Sequence, residues 1–169
     1  MSPLDKGHLV IHGNLFARVL MGNICRIIGM AGYSGTPLLK KLGIKEAARV
    51  LVKNAPAAMP EELAALPMVR AAKDLDVALL FATSVKEFNA GFAALSTAVK
   101  PDGMIWAAWP KKASGIETDL TENGIRDGVL KTPFVDVKVC AIDETWSGLK
   151  LVVRKELRAG FRPGRAAAR

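Results

Sequence analysis

An apolar run, Asp76-Val-Ala-Leu-Leu-Phe-Ala-Thr83, is followed at once by Ser84-Val-Lys-Glu87. A strand that keeps no polar alternation over its interior needs cover on both faces, as strands of parallel sheets have. The Ser-x-x-Glu spacing is that of a capping box, in which the serine oxygen takes an amide of the first turn and the glutamate reaches back. Val85, Phe88, Phe92, Leu95 and Val99 mark one face of the helix it starts. Pro101-Asp102-Gly103 then turns the chain into a second buried strand, Met104 to Trp109. A doubly covered strand, a helix and another buried strand predict an α/β layer structure.

The same alternation extends in both directions. Thr36 is a suitable N-cap with Pro37 at the first helical position, Leu38, Leu39 and Leu42 supply a buried stripe, and Gly43 stands where a left-handed C-terminal residue is expected. A strand is predicted over Arg49 to Lys53, a short helix over Pro60 to Leu66, and a brief strand over Val69 to Ala72. Asp119-Leu-Thr-Glu122 opens a helix to about Leu130, weakened by Gly124 and Gly128. Two β-rich runs, Val135 to Ile142 and Leu149 to Arg154, form a hairpin across Asp143-Glu-Thr-Trp-Ser-Gly148. The expected fold is therefore a compact Rossmann-like α/β domain: a mostly parallel sheet whose terminal hairpin supplies an antiparallel edge.

With 169 residues, half of them hydrophobic, the chain suits one domain. We place that domain at residues 30–156, preceded by a leader at 1–29 and followed by a basic tail at 157–169. In the leader, Leu15, Phe16, Val19, Leu20, Ile24, Ile27 and Ile28 have helical spacing opposite Asn14, Arg18, Gly22 and Arg26. That segment reads as a membrane-surface helix, a docking helix, an import peptide, or residues ahead of a native start at Met30.

The net charge of +8 invites a nucleic-acid reading, but it is concentrated at the ends. The leader carries Lys6, Arg18 and Arg26 against Asp5, and the tail carries Arg158, Arg162, Arg165 and Arg169 with no acid. The body is nearly balanced, so a nucleic-acid partner is not expected; the tail is a solubilising end or a source of weak, salt-sensitive contacts to a polyanion. The chain has no apolar run of the roughly 18–20 residues that a membrane span needs. Cys25 and Cys140 make no disulfide framework, which fits a reducing cytoplasm. His8 and His12 both fall in the leader, so Met30 onward lacks histidine for acid–base work. No metal site and no cofactor are expected.

Lys45 to Ala58, KEAARVLVKNAPAA, begins as a nucleotide-binding turn does, with a helix ending in Leu42-Gly43-Ile44 and a strand at Arg49 to Val52. The strand runs directly into Lys53-Asn54-Ala55-Pro56, without the glycines that let backbone amides approach a phosphate.

Three pieces resemble class I, S-adenosylmethionine-dependent methyltransferases: Leu38 to Leu51, Asp76 to Leu80, and Val99-Lys-Pro-Asp-Gly103 before a strand. They are similar to the helix and strand before the cofactor loop, the fourth strand, and the turn into the fifth. From Met30 to about Glu156 the chain more closely resembles a bacterial family of unknown function. Its members carry M-A-G-Y-S-G-T-P-L, W-P-K-K-A-S-G, T-D-L-T and V-D-V-K-V-C-A-x-D-E-T-W-S-G-L-K, found here at Met30 to Leu38, Trp109 to Gly115, Thr118 to Thr121 and Val135 to Lys150. The resemblance implies a methyltransferase-like fold. Two departures weaken the activity it would imply: the acidic residue and G-x-G-x-G are replaced by Val52 to Ala58, and Asn54 to Asp76 is too short for the usual two helices and two strands.

Ligands of open α/β sheets sit outside the carboxyl ends of the strands. Here those ends bring forward Lys53-Asn54-Ala55, Thr83-Ser84, the run Trp109-Pro110-Lys111-Lys112-Ala113-Ser114-Gly115, and Asp143-Glu144-Thr145-Trp146 at the hairpin. Two ammonium groups, a hydroxyl and a glycine before a helix suit a phosphate or carboxylate; alternatively Lys111 and Lys112 pair with Asp143 or Glu144, and Ser114 only turns the loop. Trp109 and Trp146 either stack a planar ligand or pack at the rim. Tyr33 is a lid over the site or an anchor of the N-terminus. Cys140 is expected to be buried and inert.

These features predict a non-catalytic domain that binds a small anionic ligand or a protein partner at the carboxyl edge. The alternatives are a divergent S-adenosylmethionine-dependent transferase with Asp143 or Glu144 as base, and a structural assembly subunit.

Overall fold

The computed structural model describes residues 35–162; the leader, Tyr33 and the tail from 163 lie outside the described residues. In chain order the elements are α1 (Leu38–Leu42), β1 (Val50–Lys53), α2 (Glu61–Ala64), β2 (Leu75–Phe81), α3 (Val85–Ser96), β3 (Val99–Pro110), α4 (Glu122–Val129), β4 (Phe134–Ala141) and β5 (Trp146–Val153). Single turns of 3-10 helix stand at Lys112–Ser114 and Lys155–Leu157.

The five strands form one sheet in the order β1-β2-β3-β5-β4. β1, β2 and β3 are parallel, with Val50 opposite Val77 and Leu79 opposite Trp106. β5 is antiparallel to both β3 and β4, so β4 at the far edge points the same way as the parallel strands. The expected hairpin is present, but the antiparallel strand is internal and the edge strand is the one that precedes it.

Alternation along β2 explains why its sequence shows no polar side. Val77, Leu79 and Phe81 face a layer built on Leu38, Leu42 and Leu63 of α1 and α2, together with Trp106 and Trp146. Ala78 and Leu80 face Phe88, Phe92 and Leu95 of α3 and Ile125 and Val129 of α4. Gly91 lets α3 sit close, since a Cβ there would lie 2.9 Å from Leu80 Cδ2.

Several local expectations change. Thr36 does not cap α1: the Glu62 carboxylate accepts from the amides of Leu38 at 3.0 Å and Leu39 at 3.4 Å, while Gly43 closes the helix at φ 74° as expected. Asp119 does not cap α4, whose first turn is held by Thr121 accepting from the Gly124 amide at 3.1 Å. The predicted strand at Val69 to Ala72 reduces to one parallel bridge between Val50 and Met68. Pro101-Asp102-Gly103 lies within β3, at a register shift against β2. β5 begins three residues earlier than its apolar pattern suggests, because Trp146, Ser147 and Gly148 pair with Pro110, Trp109 and Ala108.

Candidate functional site

The carboxyl ends of β1, β2, β3 and β4 place Asn54, Thr83, Lys111 and Asp143 on one rim of the sheet. At the first of these the turn does contain a left-handed residue. Asn54 has φ 54°, a region asparagine tolerates better than most side chains, and its Nδ2 donates to the Phe81 carbonyl at 3.2 Å. Asparagine therefore stands where a glycine would be expected, tying the end of β1 to the end of β2.

The next group is the N-terminus of α3, whose free amides and dipole would favour an anion. Ser84 Oγ accepts from the Glu87 amide at 3.2 Å. Glu87 Oε2 accepts from the amide and hydroxyl of Thr83 at 2.9 and 3.0 Å. Those Thr83 bonds hold the Glu87 carboxyl below its ordinary pKa, against a smaller opposing effect of desolvation. A second carboxylate arrives from the loop after β3: Asp119 Oδ1 accepts from the Val85 amide at 2.8 Å, and Thr118 Oγ1 donates to the Thr83 carbonyl at 2.6 Å. The chain's own acids thus occupy this helix end. No local pattern announces the contact, since Asp119-x-x-Glu122 has the spacing of a cap for the helix that follows it.

At β3, the Lys111 amide donates to the Thr145 carbonyl at 2.8 Å and its Nζ to the Asp143 carbonyl at 2.6 Å. Asp143 Oδ1 accepts from the amides of Thr145 and Trp146, each at 2.7 Å. Lys111 and Asp143 do meet, as one alternative expected, but through the main-chain carbonyl of Asp143 rather than its carboxylate. Ser114 Oγ donates to the Lys111 carbonyl at 2.7 Å, and Gly115 leaves the 3-10 turn at φ 73°. Lys112 and Glu144 are exposed and have no ion-pair partner among the described residues.

The tryptophans belong to the core. Trp146 is 6% exposed, edge-on to Phe81 with ring centroids 5.0 Å apart, and Trp109 is 9% exposed. Trp106 is fully buried, and its indole N–H donates to the Leu42 carbonyl at 3.0 Å. Cys140 is half-buried; burial pushes its thiol pKa up, and the charges of Lys138 and Lys41 only partly offset that. No group of three His, Cys, Asp or Glu among the described residues is placed to hold a metal ion. No helix among them is long and apolar enough to cross a membrane. Lys53, at the carboxyl end of β1, and Arg70, which no sequence motif singles out, line a cleft beside β1.

No protein-family model matches the chain. No curated protein matches it. Among solved structures, a magnesium protoporphyrin IX methyltransferase from Synechocystis with bound SAM is similar over 50% of this chain and 42% of its own, at 13% identity and a TM-score of 0.39. A ribosomal protein methylase from Lactobacillus delbrueckii subsp. bulgaricus is similar over 82% of this chain and 78% of its own, at 12% identity and a TM-score of 0.42. LepI in complex with SAM is similar over 69% of this chain and 39% of its own, at 9% identity and a TM-score of 0.39. The chain spans less than half the length of the first and third of these.

Proposed function

We propose that this chain is a non-catalytic α/β binding domain that holds a small anionic ligand or a protein partner at the carboxyl edge of its parallel strands, with Lys112 as the contacting cation. The reading rests on the Asp119 carboxylate at the Val85 amide. A helix end that would receive a charged cofactor is filled from within, and the loop that fills it also carries the Lys112 turn. Lys111 fixes that loop to the β4–β5 turn, so the ammonium group left to a partner is that of Lys112. An anion held there gains a charge-assisted contact without displacing an internal bond.

The test is a thermal-shift survey of the full chain against nucleotides and phosphorylated metabolites, repeated with Lys112→Ala. A ligand that stabilises the parent and not the variant is expected. Equal stabilisation of both would exclude Lys112 as the contact. Calorimetry with S-adenosylmethionine at high micromolar concentration is expected to give no binding heat; a saturable heat would favour a divergent transferase instead.

A further inference from the structure

Among the described residues the sheet ends at β1, whose outer edge is only partly paired. The Arg49 carbonyl accepts from the amides of Asp76 and Val77 at 3.1 and 3.2 Å, so Arg49, Leu51 and Lys53 turn their peptide groups toward β2. Alternation turns those of Val50 and Val52 outward. The Val50 carbonyl accepts from the Val69 amide at 2.8 Å beside the bridge to Met68, and among the described residues the pairing stops there. Between this connection and the last turn of α3 lies a cleft of about 510 Å³. Leu51 and Leu95 line it and are buried in the core, and Met68 and Val69 line it and are half-buried. Its charged lining groups are Lys53 and Arg70, with no acid among the lining residues and no ion-pair partner for either among the described residues.

We propose that this cleft binds a small amphiphilic anion, a carboxylate or phosphate on an apolar body, with the body over Leu51, Val69 and Leu95 and the head group between Lys53 and Arg70. The charge pattern selects the sign, because two unpaired cations at the rim of an apolar trough are satisfied by an anion and repel a cation. The edge geometry selects a small molecule over a peptide. Strand addition draws its affinity from a run of free backbone pairs, and with Val50 taken only Val52 of β1 is left unpaired among the described residues. The volume falls in the roughly 300–1,000 Å³ range of small-molecule pockets. This site does not depend on the reading of the Lys112 edge.

The test is a titration of the full chain with octanoate, decanoate and octyl phosphate, followed by calorimetry and by amide chemical shifts. We expect saturable binding that tightens from octanoate to decanoate, with shifts at Val52, Val69 and Ala94. Lys53→Gln combined with Arg70→Gln should weaken every probe by about tenfold or more at an unchanged melting temperature. Ala94→Trp, at an exposed lining position, should block the cleft while both cations remain. Preference for octyl phosphate would assign a phosphorylated ligand, and preference for the carboxylates a free acid. The proposal is overturned if no probe binds saturably, if both variants bind as the parent does, or if the shifts gather around Lys112 and leave the β1 cleft untouched.

Discussion

The Val85 amide donates to the carboxylate of Asp119, 34 positions later in the chain, at 2.8 Å. The first turn of α3 is therefore completed by the loop that leaves β3. Glu62 serves α1 in the same way across 24 positions, through the Leu38 amide at 3.0 Å. In both cases a first-turn amide that would otherwise need water is satisfied only once another element has docked, although α3 also has the local Ser84 cap on the Glu87 amide. Capping here reports tertiary assembly as well as helix formation.

Removing the acceptor should expose that coupling. Asp119→Ala is expected to lower unfolding stability by about 0.5–2 kcal/mol, the range for loss of a helix N-terminal cap, read as a lower urea midpoint at constant slope. Asp119→Asn keeps an oxygen at the position and should cost less. A variant with the parent's midpoint would mean that Asp119 contributes nothing to α3.

Gly91 sits in the middle of α3, where alanine would ordinarily favour the helix by about 1 kcal/mol. A Cβ there would lie 2.9 Å from Leu80 Cδ2, and Leu80 is fully buried with little room to move. Overpacking of this kind costs about 1–3 kcal/mol, so Gly91→Ala is expected to destabilise. In a Leu80→Ala background the obstacle is gone and the same substitution should become neutral or favourable. Additive effects in that double-mutant cycle would show that the two residues do not collide.

Some of this fold is legible in local pattern, and some is not. The unbroken apolar run of β2 implies cover on both faces, and Ser84 to Glu87 is a short-range motif whose partners lie within four residues. Glu62 and Asp119 leave no comparable trace. Their partners are fixed by which elements meet, and the spacing of Asp119 to Glu122 imitates a cap for α4. Local pattern puts Trp146 in a turn because Ser147 and Gly148 come after it, yet Pro110 to Ala108 pair with all three and draw the indole into the core. The role of Asn54 is within reach of the sequence, since asparagine is a common occupant of left-handed positions. The cleft at Lys53 and Arg70 is not, because it arises from how the short connection before β2 rounds the outer edge of β1.

Asp76 gives a pH prediction whose sign comes from its contacts. Burial alone would raise its carboxyl pKa, but Lys100 Nζ at 2.7 Å and the Arg49 amide at 2.8 Å outweigh that and leave it below its ordinary value. A carboxyl depressed in the folded state stabilises the fold above the unfolded pKa, near about 4, and that contribution fades as pH falls through the folded value. Asp76→Asn should therefore be less stable than the parent at neutral pH, by at most about 1 kcal/mol given the partial exposure of the pair. The gap should narrow steadily below about pH 4. A gap that stays constant on acidification would show that the charge of Asp76 is not the source of the difference.

Lys111 and Lys112 are adjacent in sequence and separate in role, which makes them a matched pair for testing the rim. The Lys111 ammonium donates to the Asp143 carbonyl at 2.6 Å and its amide to Thr145, so its side chain helps hold the loop after β3 to the β4–β5 turn. A hydrogen bond from a charged donor contributes about 1.5–3 kcal/mol, and Lys111→Ala should lower the denaturation midpoint accordingly. Lys112 makes no ion pair among the described residues and lies exposed at the start of the 3-10 turn. Lys112→Ala should shift stability by no more than about 0.5 kcal/mol, as ordinary surface substitutions do, while reducing binding of any anion that stabilises the parent. The opposite pattern, with Lys112→Ala unfolding the rim and Lys111→Ala silent, would reverse the division of labour. Equal loss of binding in both variants at unchanged stability would return the site to a two-lysine clamp, in which the Asp143 carbonyl gives up Lys111 when the ligand arrives.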